Sequence, residues 1–275
     1  MTAPAIRELG LGDLPACLDL AEQRSWLREE KKWRLLFDLG SVYGAELDGT
    51  LVGTVVSVPF GEGASAISMM LVAEYHERKG LGTRLMKHAL DRIEPPRAYL
   101  AATPFGRPLY ERVGYRPVGE ATVFMGQIEA ARGASQASRP FRADDMPGIH
   151  ALDAQATGLD RRMLLDRLPE FCHQLRVVEG IDGLAGYAGS WRNLDHSFIG
   201  PVVADSTDTA IALITDIAAS EDTARLEIPT HHTKLLAWVR DQRMEERFTT
   251  TLMEFGPVPA AHPDRVVVPM MLALG

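Results

Sequence analysis

The chain is 275 residues long, 46% hydrophobic, and carries a net charge of -8. That length admits one large domain or two ordinary ones, each able to bury a core. The acidic balance argues against general affinity for nucleic acid or an anionic membrane, because such binding rests on basic surface neutralising phosphates.

From the N-terminus, Ile6–Leu9 reads as a short strand, followed by a turn capped near Asp13, a helix over Leu14–Glu22 and a second helix over Glu29–Leu39. SVYGAEL, Asp48-Gly49 and LVGTVVSV read as an antiparallel hairpin, since Asp-Gly readily takes the positive backbone angles of a tight turn. An apolar strand at Ile67–Val72 leads through Arg78-Lys79-Gly80-Leu81-Gly82-Thr83 into a helix whose Leu81, Leu85, Ala89 and Ile93 share one face. The start of such a helix leaves backbone N–H groups without partners and carries partial positive charge, so a diphosphate is the expected guest. A strand at Ala98–Ala102, a short helix around Pro108–Arg112, and strands near Tyr115 and at Ala121–Ile128 complete a mixed α/β domain over residues 1–130.

Residues 131–138, ARGASQAS, are small and polar without an apolar period, and read as a linker. Over residues 139–275 the order of elements restarts. FRADDMP echoes IRELGLGDLP, Asp182-Gly183 sits between strand-like runs as Asp48-Gly49 does, and Val202-Val203-Ala204-Asp205 mirrors Leu71-Val72-Ala73-Glu74. The pattern indicates internal duplication. The second copy departs where the first has its basic loop: Asp205-Ser206-Thr207-Asp208-Thr209 has no glycine and places carboxylates where a phosphate would sit. The first half is therefore the better candidate for ligand binding.

Three segments in order carry a family resemblance: ERKGLG after a strand, the strand and turn YLAATPFGRPLY, and LYERVGYRPV. Together they resemble the GNAT superfamily of acyl-CoA-dependent N-acyltransferases, in a tandem form with a degenerate second half. The fold so implied is α/β, with two GNAT-like domains, each a mixed, mostly antiparallel sheet flanked by helices. Glu77 departs from the pattern, standing where the family has Gln or Arg.

The resemblance implies that Met70, Leu71 and Val72 offer main-chain hydrogen bonds to a pantetheine arm, and that Arg78, Lys79, Gly80, Leu81, Gly82 and Thr83 hold the diphosphate. Tyr110 is implied as the residue near the coenzyme sulfur and the general acid, and Trp26 and Trp33 as walls of the acceptor pocket. Acetyl-CoA is the implied cosubstrate, and a primary amine of a small molecule or peptide the implied acceptor. The amine attacks the thioester directly through a tetrahedral intermediate. The general base stays open among Glu29, Glu30, Glu74 and His76, directly or through water.

Other readings are weaker. A dinucleotide fold would need a third glycine where Leu85 stands. His231-His232 has no second ligand pair, His76 opens no zinc motif, and Cys17 and Cys172 lie outside any CxxC spacing, so no metal is expected. The N-terminus lacks an apolar signal core and no apolar run is long enough to span a bilayer, which points to a cytoplasmic protein with neither membrane nor nucleic acid as partner. A duplicated fold can supply its own packing surface, which favours a monomer over a homodimer. The alternative from another class is a non-catalytic acyl-CoA-binding sensor or regulatory module.

Overall fold

The computed structural model describes residues 3–129, 137–242, 244–259, 262 and 265–274. It forms two compact units. The first holds the chain up to Pro117 together with Met253–Val258 and Leu274, and the second holds Val118–Leu252 with Pro259–Ala273. These spatial limits differ from the sequence boundary at residue 130, and residues 131–136 of the expected linker lie outside the described residues.

In the first unit the elements run β1 (Ala5–Leu9), α1 (Leu14–Gln23), α2 (Glu30–Leu39), β2 (Ser41–Leu47), β3 (Thr50–Phe60), β4 (Ala64–Val72), α3 (Leu81–Leu90), β5 (Ala98–Ala102) and α4 (Arg107–Arg112). Strands β1 to β4 pair antiparallel in sequence order, and β5 joins β4 in parallel. Asp48 and Gly49 both take positive φ, 50° and 78°, the requirement of a tight hairpin. The apolar face of α3, Leu81, Leu85, Met86 and Ala89, is buried, and each such large side chain contributes about 1.5–3 kcal/mol when fully removed from water.

A bulge in β4 shapes everything that follows. Val56 pairs with Ser68 and Thr54 with Leu71, so two residues, Met69 and Met70, oppose one. Met69 adopts φ 46°, and its carbonyl accepts a 2.8 Å bond from the buried Thr54 hydroxyl. Beside it, β5 pairs with β4 only at Ser65–Ala98 and Ala66–Tyr99. Beyond those pairs the two strands part.

Strand β6 spans Arg116–Gly126, where the sequence suggested two strands near Tyr115 and at Ala121–Ile128. Residues 116–120 are exposed and extended, so they lack the buried alternation that marks a strand in sequence. The second unit continues with β7 (Arg139–Pro140), α5 (Met146–Thr157), α6 (Arg162–Leu165), α7 (Leu168–Phe171), β8 (Gln174–Gly180), β9 (Gly183–Asn193), β10 (His196–Ala204), α8 (Thr207–Ala218), β11 (Ala224–Pro229), α9 (Thr233–Asp241), β12 (Glu245–Phe255) and β13 (Val266–Val268). Its strand order is β12-β6-β11-β10-β9-β8-β7, with β13 on β10. The core clusters Leu213, Ile214 and Ile217 of α8 against Val202, Leu226, Ile228 and Val268.

The duplication is visible in atoms. In the first unit Arg7 bonds Asp13 at 2.8 Å and Glu46 at 2.9 Å, while Asp13 also accepts from Gly10 N. In the second, Arg139 bonds Asp145 and Glu179, both at 2.7 Å, while Asp145 accepts from Arg142 N. The arginine holds its aspartate carboxyl below the ordinary range in both cases. The second hairpin turns one residue earlier than its counterpart, through Ile181-Asp182, with Gly183 already paired to Gly180.

Among the described residues no helix is long and apolar enough to cross a membrane, and no group of three or more His, Cys, Asp or Glu side chains gathers as for a metal. Cys17 and Cys172 are free and buried, and burial pushes the Cys17 thiol up to about 12.

Candidate active site

The parting of β4 and β5 opens into a cavity of about 640 Å³ in the first unit. Met70, Leu71 and Val72 line it from one strand and Ala101 from the other. Past Ala66 these strand ends have no mutual ladder, so their main-chain polar groups face the gap.

At the far end of β4, a short turn at Glu74–His76 leads to the start of α3, where Arg78, Gly80, Leu81, Gly82 and Thr83 line the same cavity. Arg78 and Gly80 are left-handed, φ 56° and 82°, with Lys79 between them. That alternation turns successive N–H groups into one concavity suited to an anion. The first helical bond is Arg84 N to Gly80 O at 3.1 Å, and no side chain caps the helix. The leading N–H groups of α3 therefore lack intrahelical acceptors. A Cβ on Gly80 would meet nothing, so Gly80 serves the backbone angle; one on Gly82 would come to 3.0 Å from Leu109 of α4, so Gly82 serves the close approach.

Tyr110 of α4 also lines the cavity. Its ring meets Tyr115 edge-on at 6.1 Å, and Tyr115 packs on Phe255 at 5.5 Å. Burial drives the Tyr110 phenol well above its usual range, so the hydroxyl keeps its proton at neutral pH. Tyr115 is buried with its hydroxyl unpartnered.

The structure thus brings together Met70, Leu71, Val72, Arg78, Gly80, Leu81, Gly82, Thr83, Tyr110 and Trp26. Other sequence candidates lie elsewhere. Lys79 is exposed and donates from Nζ to the Tyr75 carbonyl at 2.7 Å. Trp33 is 0% exposed and packs in the core, whereas Trp26 is 39% exposed at the cavity. Glu30 pairs with Arg34 at 2.7 Å on the outer face of α2, Glu29 is buried against Lys32, and Glu74 is exposed on its short turn. Of the proposed bases only His76 lines the cavity.

Sequence reading missed Arg24. It ends α1, lines the cavity, and lies 2.5 Å from Glu77. The only local signal was the misplaced charge of Glu77, a carboxylate just before an anion-binding turn.

The second unit repeats this frame with a different filling. Ser190 pairs with Ile199 and Ala188 with Val202, so Gly200-Pro201 bulge opposite Gly189, and β11 meets β10 in parallel only at Ser197–Ala224 and Phe198–Arg225. Where β11 departs, β13 pairs antiparallel with Val202–Ala204. The start of α8 is closed as well, because the Ser206 hydroxyl accepts from Thr209 N at 3.2 Å and Asp205 stands beside it, bonded to the Thr209 hydroxyl at 2.8 Å.

Comparison with known proteins finds a separate match in each half of the chain. A family model described as the acetyltransferase (GNAT) family matches residues 5–115, and an acetyltransferase (GNAT) domain model matches residues 149–266. An uncharacterized N-acetyltransferase of Bacillus subtilis, YitH, is 28% identical over 212 residues, covering 75% of each chain. A putative acetyltransferase from Pyrococcus horikoshii shares the fold with a TM-score of 0.85 at 18% identity, over 100% of this chain and 97% of that one. A tandem GNAT protein from the clavulanic acid biosynthesis pathway superposes with a TM-score of 0.66 at 13% identity, over 93% of this chain and 99% of its own.

Proposed function

The chain belongs to the GNAT superfamily of acyltransferases, with two GNAT domains in tandem, and from that premise we propose that its first unit is an N-acetyltransferase acting on a primary amine. The donor is acetyl-CoA or a related short acyl-CoA, and the acceptor is a small molecule or peptide. One observation carries this reading: a single cavity joins the parted ends of β4 and β5, the uncapped start of α3 and Tyr110. Its apolar slot and anion cradle fit a pantetheine arm with a diphosphate at its end.

Main-chain groups of Met70, Leu71 and Val72 would receive the arm as an added strand. The N–H groups from Arg78 to Thr83 would hold the diphosphate. When bound, the thioester supplies the carbonyl that an amine attacks. Main-chain donors on β4 stabilise the negative charge that develops on its oxygen.

Tyr110 is the proposed proton donor to the departing sulfur. Taking cysteine as guide, a thiol pKa near 8.5 puts free thiolate only about 2 kcal/mol uphill at pH 7, so the donor accelerates without being indispensable. Deprotonating an alkylammonium near pKa 10.4 costs more, about 4–5 kcal/mol at the same pH. Among the described residues the only carboxylate lining the cavity is that of Glu77, which Arg24 engages. His76 is the candidate base that lines the cavity, so we assign the removal of the amine proton to His76, directly or through water, and the rate should climb as pH rises from 7 towards the amine pKa.

A thiol-release screen tests the reading. Full-length protein is mixed with acetyl-CoA and a panel of amines, aminoglycosides, polyamines and peptides with free N-termini. Release with one acceptor class is expected. Coenzyme binding without release across the whole panel would favour a sensor and defeat the transferase assignment of this site.

A further inference from the structure

A bare carboxylate beside a diphosphate cradle should weaken it, and Glu77 stands three residues before Gly80 in the same cavity lining. Its carboxylate is met at 2.5 Å by Arg24, both side chains being about one-fifth exposed, at 21% and 23%. Ion pairs at that depth are screened less than those on the open surface. The match is not a chance of a floppy side chain. Arg24 closes α1 in a Schellman turn, with Ser25 N bonded to Glu22 O and Trp26 N to Ala21 O, both at 2.9 Å. Ser25 supplies the left-handed residue at φ 58°, a conformation costly for any residue with a Cβ. The chain is thus held so that Arg24 and Trp26 both line the cavity.

We infer that Arg24 is a positioning residue for the coenzyme: it cancels the Glu77 charge at the mouth of the diphosphate cradle, and the pair sets how tightly the first unit holds its acyl donor. Glu77 in turn holds the guanidinium by ion pairing. Arg24 itself lines the cavity, so its charge stands in the lining of a site built for an anion. Glu77 is on this account an affinity-limiting residue, tolerated because Arg24 covers it. The inference rests on the acyl-CoA reading of the cavity.

The test is calorimetry of the full chain with coenzyme A, which needs no acceptor. Wild type should bind. Arg24→Ala should weaken binding about tenfold, and Arg24→Lys, which keeps the charge, should stay within about threefold of wild type. Glu77→Gln should tighten binding severalfold, because it frees the Arg24 charge. The double variant R24A/E77Q should return to within about threefold of wild type. An unchanged Arg24→Ala, a Glu77→Gln weaker than wild type, or a double variant as weak as Arg24→Ala overturns the inference. A pair that merely staples α1 to the loop predicts the weaker Glu77→Gln. Should Arg24→Ala fail to fold, the sign of the Glu77→Gln effect decides alone. Absence of coenzyme binding to wild type would defeat the acyl-CoA reading itself.

Discussion

In both units a long bulged strand runs beside a second strand, parallel for two residue pairs, and then leaves it. What occupies the parting differs. In the first unit it opens into a cavity continuous with an uncapped helix start; in the second, the chain fills it with its own strand, Val266–Val268, and caps the helix with Ser206. A sheet end with unpaired main-chain groups must be satisfied by something, and a valine segment or a coenzyme arm meets that demand equally well. Closing such a parting in a duplicated domain thus requires no change of frame. It requires a strand in the slot and an acid at the cradle, and Asp205 supplies the acid.

The largest test makes the first cradle resemble the second. Gly80→Asp would place a carboxylate at the cradle where a Cβ meets no neighbour, so the fold survives at a local cost of about 1–2 kcal/mol for a left-handed residue. Two negative charges near 4 Å at intermediate dielectric repel by several kcal/mol, so coenzyme affinity should fall about a thousandfold. Calorimetry reads the loss, and thermal melting shows that the unit remains folded. The same titration of wild type should give one coenzyme per chain, since the second slot is filled. A stoichiometry of two would break the comparison outright.

Acid should loosen the filled slot and leave the open one alone. His232 Nε2 accepts a 3.3 Å bond from Val267 N of the filling strand. Burial, with His231 beside it, lowers His232 to about 4 from an ordinary 6.5. The unfolded chain therefore binds this proton more readily than the folded one between about pH 6.5 and 4. Stability of the second unit should be full above pH 6.5 and decline towards pH 4, by up to about 3 kcal/mol. His232→Gln, which keeps an acceptor but cannot titrate, should flatten that decline in urea melts followed by tryptophan fluorescence. An equal slope in wild type and variant would remove His232 from the linkage.

What a sequence could say follows the range of each interaction. The Asp48-Gly49 hairpin and the loop from Arg78 to Thr83 were legible because residues within one turn of each other fix their own backbone. Trp33 was misjudged against Trp26 because a helical period shows that a stripe is buried without showing whether core or cavity lies opposite. Two strands were read where β6 is one, since its exposed first half lacks an apolar period. The Arg24–Glu77 pair and the seating of β13 on β10 join segments remote in sequence; the first leaves only the misplaced charge of Glu77 as a local mark, and the second leaves none.

Chemistry at the open slot gives a smaller effect. Tyr110→Phe should lower turnover about 10- to 30-fold at pH 7 while coenzyme affinity stays within about twofold, because the hydroxyl is proposed to act only as sulfur departs. The deficit should shrink as pH rises past the thiol pKa near 8.5, where the leaving group no longer needs a proton. Stopped-flow thiol release across pH measures both. Full activity at pH 7 would remove Tyr110 from the mechanism.

The smallest effect lies where the two units end corresponding helices. After α5 the chain takes the left-handed conformation at Gly158, φ 70°, whereas after α1 it does so at Ser25, φ 58°. Glycine adopts that region without the Cβ clash a serine carries, although it has more freedom to lose on folding. Replacing Ser25 by Gly should therefore stabilise the first unit by only about 0.5 kcal/mol, read as a raised urea midpoint with an unchanged slope. The same substitution should leave coenzyme affinity within about twofold, provided that the hydrogen bonds of Ser25 and Trp26 to α1 suffice to aim Arg24. If affinity falls while stability rises, the strained serine itself aims the arginine, and the two helix ends differ because only one of them faces a ligand.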